Sequence, residues 1–567
     1  MGSYPLTRRA IVAGVMLGVV FTFIAIYLYL KVGIVALAGI FIIGYLILSL
    51  TGGYDARENA MILTIAGACN LAAMGFIDPI VALLVYKDYI SFSIPITFRL
   101  IISLLVPGVF LGVFLLYPLH REFVQLRWPL VTPMAYMVKV LEKTGSEELR
   151  YALKGMGFSI LASSSLMATG LYQIDLSGRG DKENRLSFTG VTISPLYAGL
   201  GFFISYLGYL FLMGGVVYSM LVWFFVEGGD PAISVQQHFF NPFIYSVAVP
   251  MMITTAILSL ISYSKGIKSS ISSIDKESRR IKIMSALSLV LLPCVAFVSL
   301  WLTGELPFSK LLEVVEIILV ALPIVFISAI FAVRAAGETG FSTSITLDAT
   351  LIIVLFIFAP SFESILLAFA IVGVFESIAI SFIRRVKFCS IIGVDARKTL
   401  EAVLIGGLTG IITGPSLFLA IHYYQGGVGS SNWPAPMAKL LGGYILLFYI
   451  GIKERKLPPM IKPSLLVISV LLTIIIWVFL QKRGLKRLSP ILIAIGMIIP
   501  PSYLWIASIG AFIDYWISRK YRGDQKAYMR ERSKWNAILS GVMSGEGLVL
   551  FAITIFSIVP LLIHLIV

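Results

Sequence analysis

Ile317-Ile318-Leu319-Val320-Ala321-Leu322-Pro323-Ile324-Val325-Phe326-Ile327-Ser328-Ala329-Ile330-Phe331-Ala332-Val333 runs without a charge into Arg334-Ala335-Ala336-Gly337-Glu338-Thr339-Gly340. The first stretch is apolar enough for a membrane helix. The second sets an arginine and a glutamate four residues apart, on one face if the helix continues. If the chain unwinds at Gly337, the two become a loose cation and anion at a helix end. A charged side chain at membrane depth costs roughly 2.5–3.5 kcal/mol on insertion scales. A chain keeps two there only if they pair with each other, line water or touch a substrate. Arg334 and Glu338 are therefore candidate substrate-binding residues, weighed against a plain juxtamembrane ion pair.

The same pattern recurs along the chain. Of its 567 residues, 58% are hydrophobic and 13% charged, and the mean hydropathy is +0.96. A bilayer span takes about 20 apolar residues. Runs near that length are Ile11–Leu30, Val32–Leu50, Met61–Ile77, Leu100–Tyr117, Ile283–Leu302, Ile365–Ile383 and Leu465–Leu480. With shorter and interrupted runs added, the count comes to about 16 membrane segments. The fold class read here is all-α, a polytopic membrane helix bundle with broken or re-entrant helices, forming one membrane domain. Ile11–Leu30 follows Arg8-Arg9, but it is longer than the about 7–15 residue core of a signal peptide and no small-x-small cleavage site follows it.

The net charge of +15 reads as positive-inside bias, not as nucleic-acid binding. Basic clusters lie at Arg8-Arg9, in the 119–154 loop, at Lys265–Lys282, Arg384–Lys398 and Arg519–Lys534, with Lys482-Arg483 and Lys486-Arg487 as the exception. Alternating single spans do not bring all of them to one side. Ser194–Phe225 and Leu488–Ile517, the second broken at Pro500-Pro501, are the candidate re-entrant segments. The expected location is the cell membrane, multi-pass, with the N-terminus cytoplasmic. Cys69, Cys294 and Cys389 sit in or near apolar runs, and four histidines are scattered. That pattern points to no disulfide framework and no metal site.

A Ser/Lys-rich insert, Ser264–Lys282, divides the chain near its middle. Two related halves, 1–275 and 276–567, are expected, as in many transporters. The longest polar insert, Pro118–Ala152, reads as a membrane-parallel segment followed by an amphipathic helix near Tyr136–Leu149. A charged loop is expected at Asp175–Arg185. Glycine and proline interrupt apolar sequence at Ser194-Pro195, Gly406-Gly407, Gly410, Gly414-Pro415, Pro434–Pro436, Pro500-Pro501 and Ser544-Gly545-Glu546-Gly547. Irregular backbone at membrane depth survives where protein or a water-filled cavity supplies hydrogen bonds. Such breaks often mark substrate sites, because freed N–H and C=O groups become ligands.

Three acids stand out as proton-coupling candidates. Glu546 is flanked by two glycines within apolar sequence, Glu376 sits mid-run in Gly373-Val374-Phe375-Glu376-Ser377, and Asp348 lies ten residues beyond Glu338. A carrier driven by protons needs a carboxyl group that gains and loses a proton in its working range. Glu546 reads as having no fixed partner. Glu546 and Glu376 are alternatively partners of a basic residue. Tyr197 and Tyr503 each follow a proline break and are candidate substrate contacts. Glu58-Asn59 reads as a helix-start pair, with Asn59 the further substrate-contact candidate. Asp514, close to Tyr515 and Arg519-Lys520, reads as an interface residue.

At these residues the chain resembles the oligopeptide transporter (OPT) family, which includes the yellow-stripe-like metal-chelate carriers. Arg334-Ala335-Ala336-Gly337-Glu338-Thr339 is similar to that family's AR-x-x-GET signature. Ser194-Pro195-Leu196-Tyr197-Ala198-Gly199-Leu200-Gly201 resembles its SPLYVGVG stretch. Pro500-Pro501-Ser502-Tyr503 with Ile509-Gly510-Ala511 resembles PPxY…xGA, and Ser544-Gly545-Glu546-Gly547-Leu548 resembles xGEGL. Leu126-Arg127-Trp128-Pro129 is similar to LPFP, and Glu58-Asn59 with Thr64 to E-N…QT. Where the family often continues GET with Asp-x-Asn-Pro, this chain has Gly340-Phe341-Ser342-Thr343. The early Gln position holds Leu63. The resemblance implies a proton-coupled importer of small peptides or amino-acid-derived metal chelates.

The function expected is thus a secondary active transporter working by alternating access, with no cofactor and a proton gradient as driving force. Its partners would be a small-molecule or peptide substrate and the lipid bilayer, with a homo-oligomer left open. Two other classes compete. A membrane-embedded enzyme acting on a lipid-linked or peptide substrate needs a nucleophile with a base, or a metal cluster. The chain has no H-E-x-x-H and no G-x-S-x-G, so it is read as not an enzyme. A channel favours a ring of like groups, and these acids fall on separate segments. No Walker motif occurs.

Overall fold

The computed structural model describes residues 6–32, 55–87, 94–142, 146–174, 185–187, 191–205, 208–225, 232–234, 241, 243–255, 257–258, 276–340, 361–424, 427–430, 433–454, 456, 461–483, 489–498 and 501–566. Asp348, the second apolar run and most of the inserts 175–185 and 264–282 lie outside them. In chain order the helices are α1 (Arg8–Val32), α2 (Ala56–Met74), α3 (Ile77–Val85), α4 (Phe98–Leu115), α5 (His120–Val124), α6 (Val131–Glu142), α7 (Glu147–Ala168), α8 (Pro195–Ile204) and α9 (Gly208–Phe225). Then come α10 (Lys276–Trp301), α11 (Phe308–Thr339), α12 (Phe362–Ile392), α13 (Ala396–Tyr424), α14 (Pro436–Lys453), α15 (Pro463–Lys482), α16 (Pro490–Ile498), α17 (Pro501–Lys520) and α18 (Gln525–Ile566). Two short antiparallel ribbons interrupt this helical chain, Gln173–Ile174 with Val191–Thr192 and Arg185–Ser187 with Ala232–Ser234.

Among the described residues, seven helical segments are long and apolar enough to cross a membrane. The protein is a multi-pass, predominantly helical membrane protein. The expectation of about 16 segments in two halves extends beyond these seven. The most enclosed spans are Ala56–Val85 (α2 and α3), 83% buried, and α12, 78% buried, whereas α15 at the periphery is 22% buried. At about 1.5 Å per residue, the 42 residues of α18 exceed a hydrocarbon core of about 30 Å. Its charged start, Lys526 to Lys534, therefore projects beyond the lipid.

Local chemistry sets the helix starts. Asp55 caps α2 by accepting from the Glu58 amide at 2.6 Å, and Thr97 and Ser146 cap α4 and α7 in the same way at 3.1 Å. These side chains satisfy amides that have no partner within the helix. The helix expected near Tyr136–Leu149 is divided between α6 and α7, because Ser146 starts a new helix inside it.

Helices α1, α2 and α13 lie side by side. A methyl group on Gly414 would fall 2.7 Å from the Ala73 Cα, so the backbones touch where side chains are absent. A second group joins α7 to α18, α8 to α17 and α9 to α16. At about 1.5 Å per residue, the ten residues of α8 and nine of α16 reach only about half of a 30 Å core. Both are half-length helices at proline breaks, inside the two segments expected to be interrupted. All nine residues of α16 are buried, so protein, not lipid, surrounds this half-length helix.

Candidate functional site

Glu546 lies on α18 and is 1% exposed. Its Oε1 accepts from the Tyr172 hydroxyl at 2.6 Å and from Ser194 Oγ at 2.7 Å. Its Oε2 accepts from the Leu196 amide at 2.6 Å. The carboxylate therefore sits on the N-terminal end of α8, where free amides and the helix dipole favour negative charge. Pro195 at the first position of α8 has no amide to satisfy, and Ser194 also accepts from the Tyr197 amide at 3.3 Å. The reading of Glu546 as an acid without a fixed partner is corrected: three donors hold it, from the loop after α7 and the start of α8.

Beside it, the rings of Tyr197 and Tyr503 stack with centroids 4.5 Å apart and planes at 26°. Thr192 Oγ1 donates to Ser502 Oγ at 3.0 Å. The Ser-Pro-Leu-Tyr, Pro-Pro-Ser-Tyr and Gly-Glu-Gly stretches, far apart in sequence, thus close on one interior site. Tyr172 belongs to it and carries no sequence signal; it is one tyrosine among 25.

Arg334 and Glu338 pair on α11, Nε to Oε1 at 2.8 Å, with side chains 11% and 10% exposed. The helix runs through Gly337 to Thr339 and ends at Gly340 with φ 89°. Of the two sequence readings, the continuous helix holds. The Gly337 carbonyl accepts from the Trp128 amide at 2.7 Å, and a methyl at Gly337 would meet Leu126 Cβ at 2.9 Å. The Leu-Arg-Trp-Pro segment is thus docked on the helix that carries the ion pair. Lys387 of α12 fastens it from the other side, donating to the carbonyls of Val124 at 2.7 Å and Leu126 at 3.1 Å.

Helix α8 spans the gap between the two clusters. Leu200 packs near Gly340 at the end of α11, at 3.2 Å from the Cβ position there. Arg127 donates to the Ile204 carbonyl at the other end of α8. Ser205 follows with φ 68° and donates to Asp514, which pairs with Arg532 at 3.3 Å. Asp514 is 3% exposed, held by Ser205 at the end of α8 and by Arg532 of α18.

The remaining candidates lie elsewhere. Glu376 on α12 accepts from Ser328 of α11 at 2.8 Å and is 1% exposed. Asn59 is buried on α2, whose main neighbours are α1, α12 and α13, whereas α18 packs mainly on α7, α8 and α6. The structure therefore brings Glu546, Tyr197 and Tyr503 together and leaves Asn59 in the other helix group. Glu58 behaves as the helix-start residue expected, accepting from Thr7 at 2.6 Å and pairing with Arg9 at 3.1 Å. Sequence reading passed over Asp78, which accepts from the Tyr29 hydroxyl at the break between α2 and α3. Among the described residues no three His, Cys, Asp or Glu side chains come close enough to hold a metal ion.

No curated protein matches the chain. The family model for OPT oligopeptide transporter protein matches residues 5–229 and 235–557. Both half-length helices, the Arg334–Glu338 pair and Glu546 all fall inside that match, and so the chain belongs to the oligopeptide transporter family.

Proposed function

We propose that this transporter is a secondary, proton-coupled importer of small peptides or amino-acid-derived metal chelates, working by alternating access. One observation carries the reading: an ionisable carboxylate, Glu546, is held in the protein interior by the amide end of a half-length helix and two hydroxyls. Protonating it removes the charge that those donors face. Arrangements of this kind, with broken helices around an interior site, are how secondary transporters bind charged substrates.

In this reading Arg334 receives a substrate carboxylate, since guanidinium and carboxylate match in a two-point contact. Glu338 then takes the substrate's amino group. Tyr197 and Tyr503 offer ring faces and hydroxyls from the half-helix side. Glu546 carries the coupling proton, with Glu376 as the second acid of the path. Asn59, on the other helix group, is the further substrate contact, and Asp348 the further proton-coupling acid. The membrane is the cell membrane, and the N-terminus faces the cytoplasm. The driving force is the proton gradient, with no cofactor.

Uptake into proteoliposomes under an imposed pH gradient, with a panel of short peptides and metal chelates, tests this. Accumulation of one class above its external concentration, abolished by a protonophore, is the expected result. Accumulation that ignores the gradient would count against proton coupling.

A further inference from the structure

Helix α8 is clamped at both ends by charged side chains from other elements. At its N-terminal end Glu546 accepts from Ser194 Oγ and the Leu196 amide. At its C-terminal end Arg127 donates to the Ile204 carbonyl, where the helix carries its negative partial charge. The next residue, Ser205, has φ 68° and ψ −151°, a conformation that a non-glycine residue holds only when its surroundings impose it. Here the imposed contact is the Ser205 hydroxyl donating to Asp514, itself paired with Arg532.

Between the ends, α8 lies backbone to backbone on α17. Gly201 faces the Ala507 carbonyl and Gly510 faces the Ala198 carbonyl, and Phe202, near the C-terminal end, is buried among Ile517 of α17 and Leu539 and Val542 of α18. The Tyr197–Tyr503 stack is the main side-chain contact near the N-terminal end. The fully buried large side chains of α8, Leu200, Phe202 and Ile204, thus gather in its C-terminal half, which Arg127 also holds, whereas its first turn is held by Glu546 and the ring stack.

We propose that Arg127 and Asp514 are positioning residues of the transport cycle: they pin the C-terminal end of α8, so that neutralising Glu546 frees only the N-terminal end and α8 pivots about Ser205, carrying Tyr197 away from Tyr503. The proposal rests on the coupling role given to Glu546 above. It adds the element that moves and the residues that fix its pivot.

The groups facing Glu546 are few. Tyr172, Tyr197 and Tyr503 are its titratable neighbours, from the loop after α7, from α8 and from α17. Helix α7 meets this turn of α18 through Met156 and Ser159. Of its charged residues, Glu147 and Glu148 lie instead beside Glu531 and Lys534 and Arg150 and Lys154 are exposed, while Tyr136 of α6 bonds Ser533. Those contacts are about 18 Å along α18 from Glu546, at about 1.5 Å per residue. Asp514 of α17 is taken up by Ser205 and Arg532. The charge on Glu546 is therefore the main variable at the start of α8.

Linkage gives the sign of the effect. The pivoted state holds the proton on Glu546 more tightly than the clamped state. The Arg127 pin is made in both states, so losing it does not move the pH at which the switch occurs; it lets the C-terminal end come free whenever the N-terminal end is free.

The test is hydrogen exchange of residues 195–205 in the full-length protein in lipid nanodiscs, corrected for the chemical exchange rate and followed across pH. In the parent protein, protection of the Leu196–Gly199 amides is expected to fall as pH falls while Phe202–Ser205 stays protected. Glu546→Gln is expected to expose Leu196–Gly199 at every pH. Arg127→Gln is expected to leave the midpoint in place and to make Phe202–Ser205 lose protection together with Leu196–Gly199 as pH falls, and Arg127→Lys to restore part of the C-terminal protection. A merely structural Arg127 would raise exchange at the C-terminal end equally at every pH, and that result overturns the proposal. If Arg127→Gln does not fold, Ser205→Ala removes only the hydroxyl to Asp514 and is expected to make Phe202–Ser205 protection fall with pH in the same way; a loss that ignores pH overturns it equally. Uptake measured alongside separates the two readings. Gradient-driven uptake with pH-insensitive protection of α8 sinks the pivot and leaves the proton-coupled function standing. A pH-sensitive α8 in a protein that never uses the gradient sinks the function and leaves the pivot.

Discussion

The Leu196 amide donates to the Glu546 carboxylate at 2.6 Å, across 350 positions of sequence. That bond joins the start of a half-length helix to a long helix near the end of the chain. It places an acid where a helix dipole and two hydroxyls meet it, inside the protein.

Stability of Glu546 variants should follow their donors. Glu546→Ala leaves the Tyr172 hydroxyl, the Ser194 hydroxyl and the Leu196 amide facing a cavity, at about 1–3 kcal/mol for each unsatisfied group. Glu546→Gln keeps one carbonyl oxygen and is expected to lose less. Thermal unfolding in detergent, followed by intrinsic fluorescence, should rank parent above Gln above Ala. Equal melting temperatures for Gln and Ala would show that these bonds do not hold α8.

Arg334→Ala should both destabilise the protein and weaken substrate binding. It leaves Glu338 buried opposite no cation, and breaking one side of a buried pair costs about 3–5 kcal/mol. The double variant Arg334→Ala with Glu338→Gln should recover most of the stability without recovering binding. Arg334→Lys should keep the charge and lose affinity, because an ammonium does not make the two-point contact. Substrate binding of Arg334→Ala at parental affinity would remove Arg334 from the substrate site.

Gly337→Ala should loosen the Leu-Arg-Trp-Pro segment. The added methyl would press on Leu126, beside the bond from the Trp128 amide to the Gly337 carbonyl. Overpacking of this kind costs about 1–3 kcal/mol. Proteolytic sensitivity of the 119–131 segment should rise. An unchanged cleavage pattern would mean that this docking is not tight.

Tyr503→Phe should preserve the stack on Tyr197, and Tyr503→Ala should lose it. An aromatic pair contributes about 0.5–1.5 kcal/mol beyond its buried area. If the rings only pack, the Phe variant transports normally. If the Tyr503 hydroxyl touches substrate, the Phe variant shows weaker apparent affinity at unchanged maximal rate. Concentration dependence of uptake separates the two.

The bundle and its broken helices were legible because apolar length and proline position act locally. The spacing of Arg334 and Glu338 foretold their ion pair for the same reason. Glu546 was legible as an isolated acid, but its partners were not. Tyr172 lies in a loop 374 positions away, and nothing in its neighbourhood marks it. Asp514 was read as an interface residue near Arg519-Lys520, and its partners Ser205 and Arg532 were not legible because they come from distant parts of the chain. Arg127 stood inside a recognisable segment, yet its role depends on where α8 ends, which only the packing reveals. Asn59 was tied to the site by resemblance, and the helix grouping places it elsewhere.

The most direct measurement compares two assays on the same Glu546→Gln proteoliposomes. One is accumulation of substrate under an inward proton gradient; the other is exchange of labelled for unlabelled substrate with no gradient. Loss of accumulation with exchange retained is the result this account predicts, since the substrate path is intact and only the proton has lost its carrier. Accumulation at the parental level would contradict it.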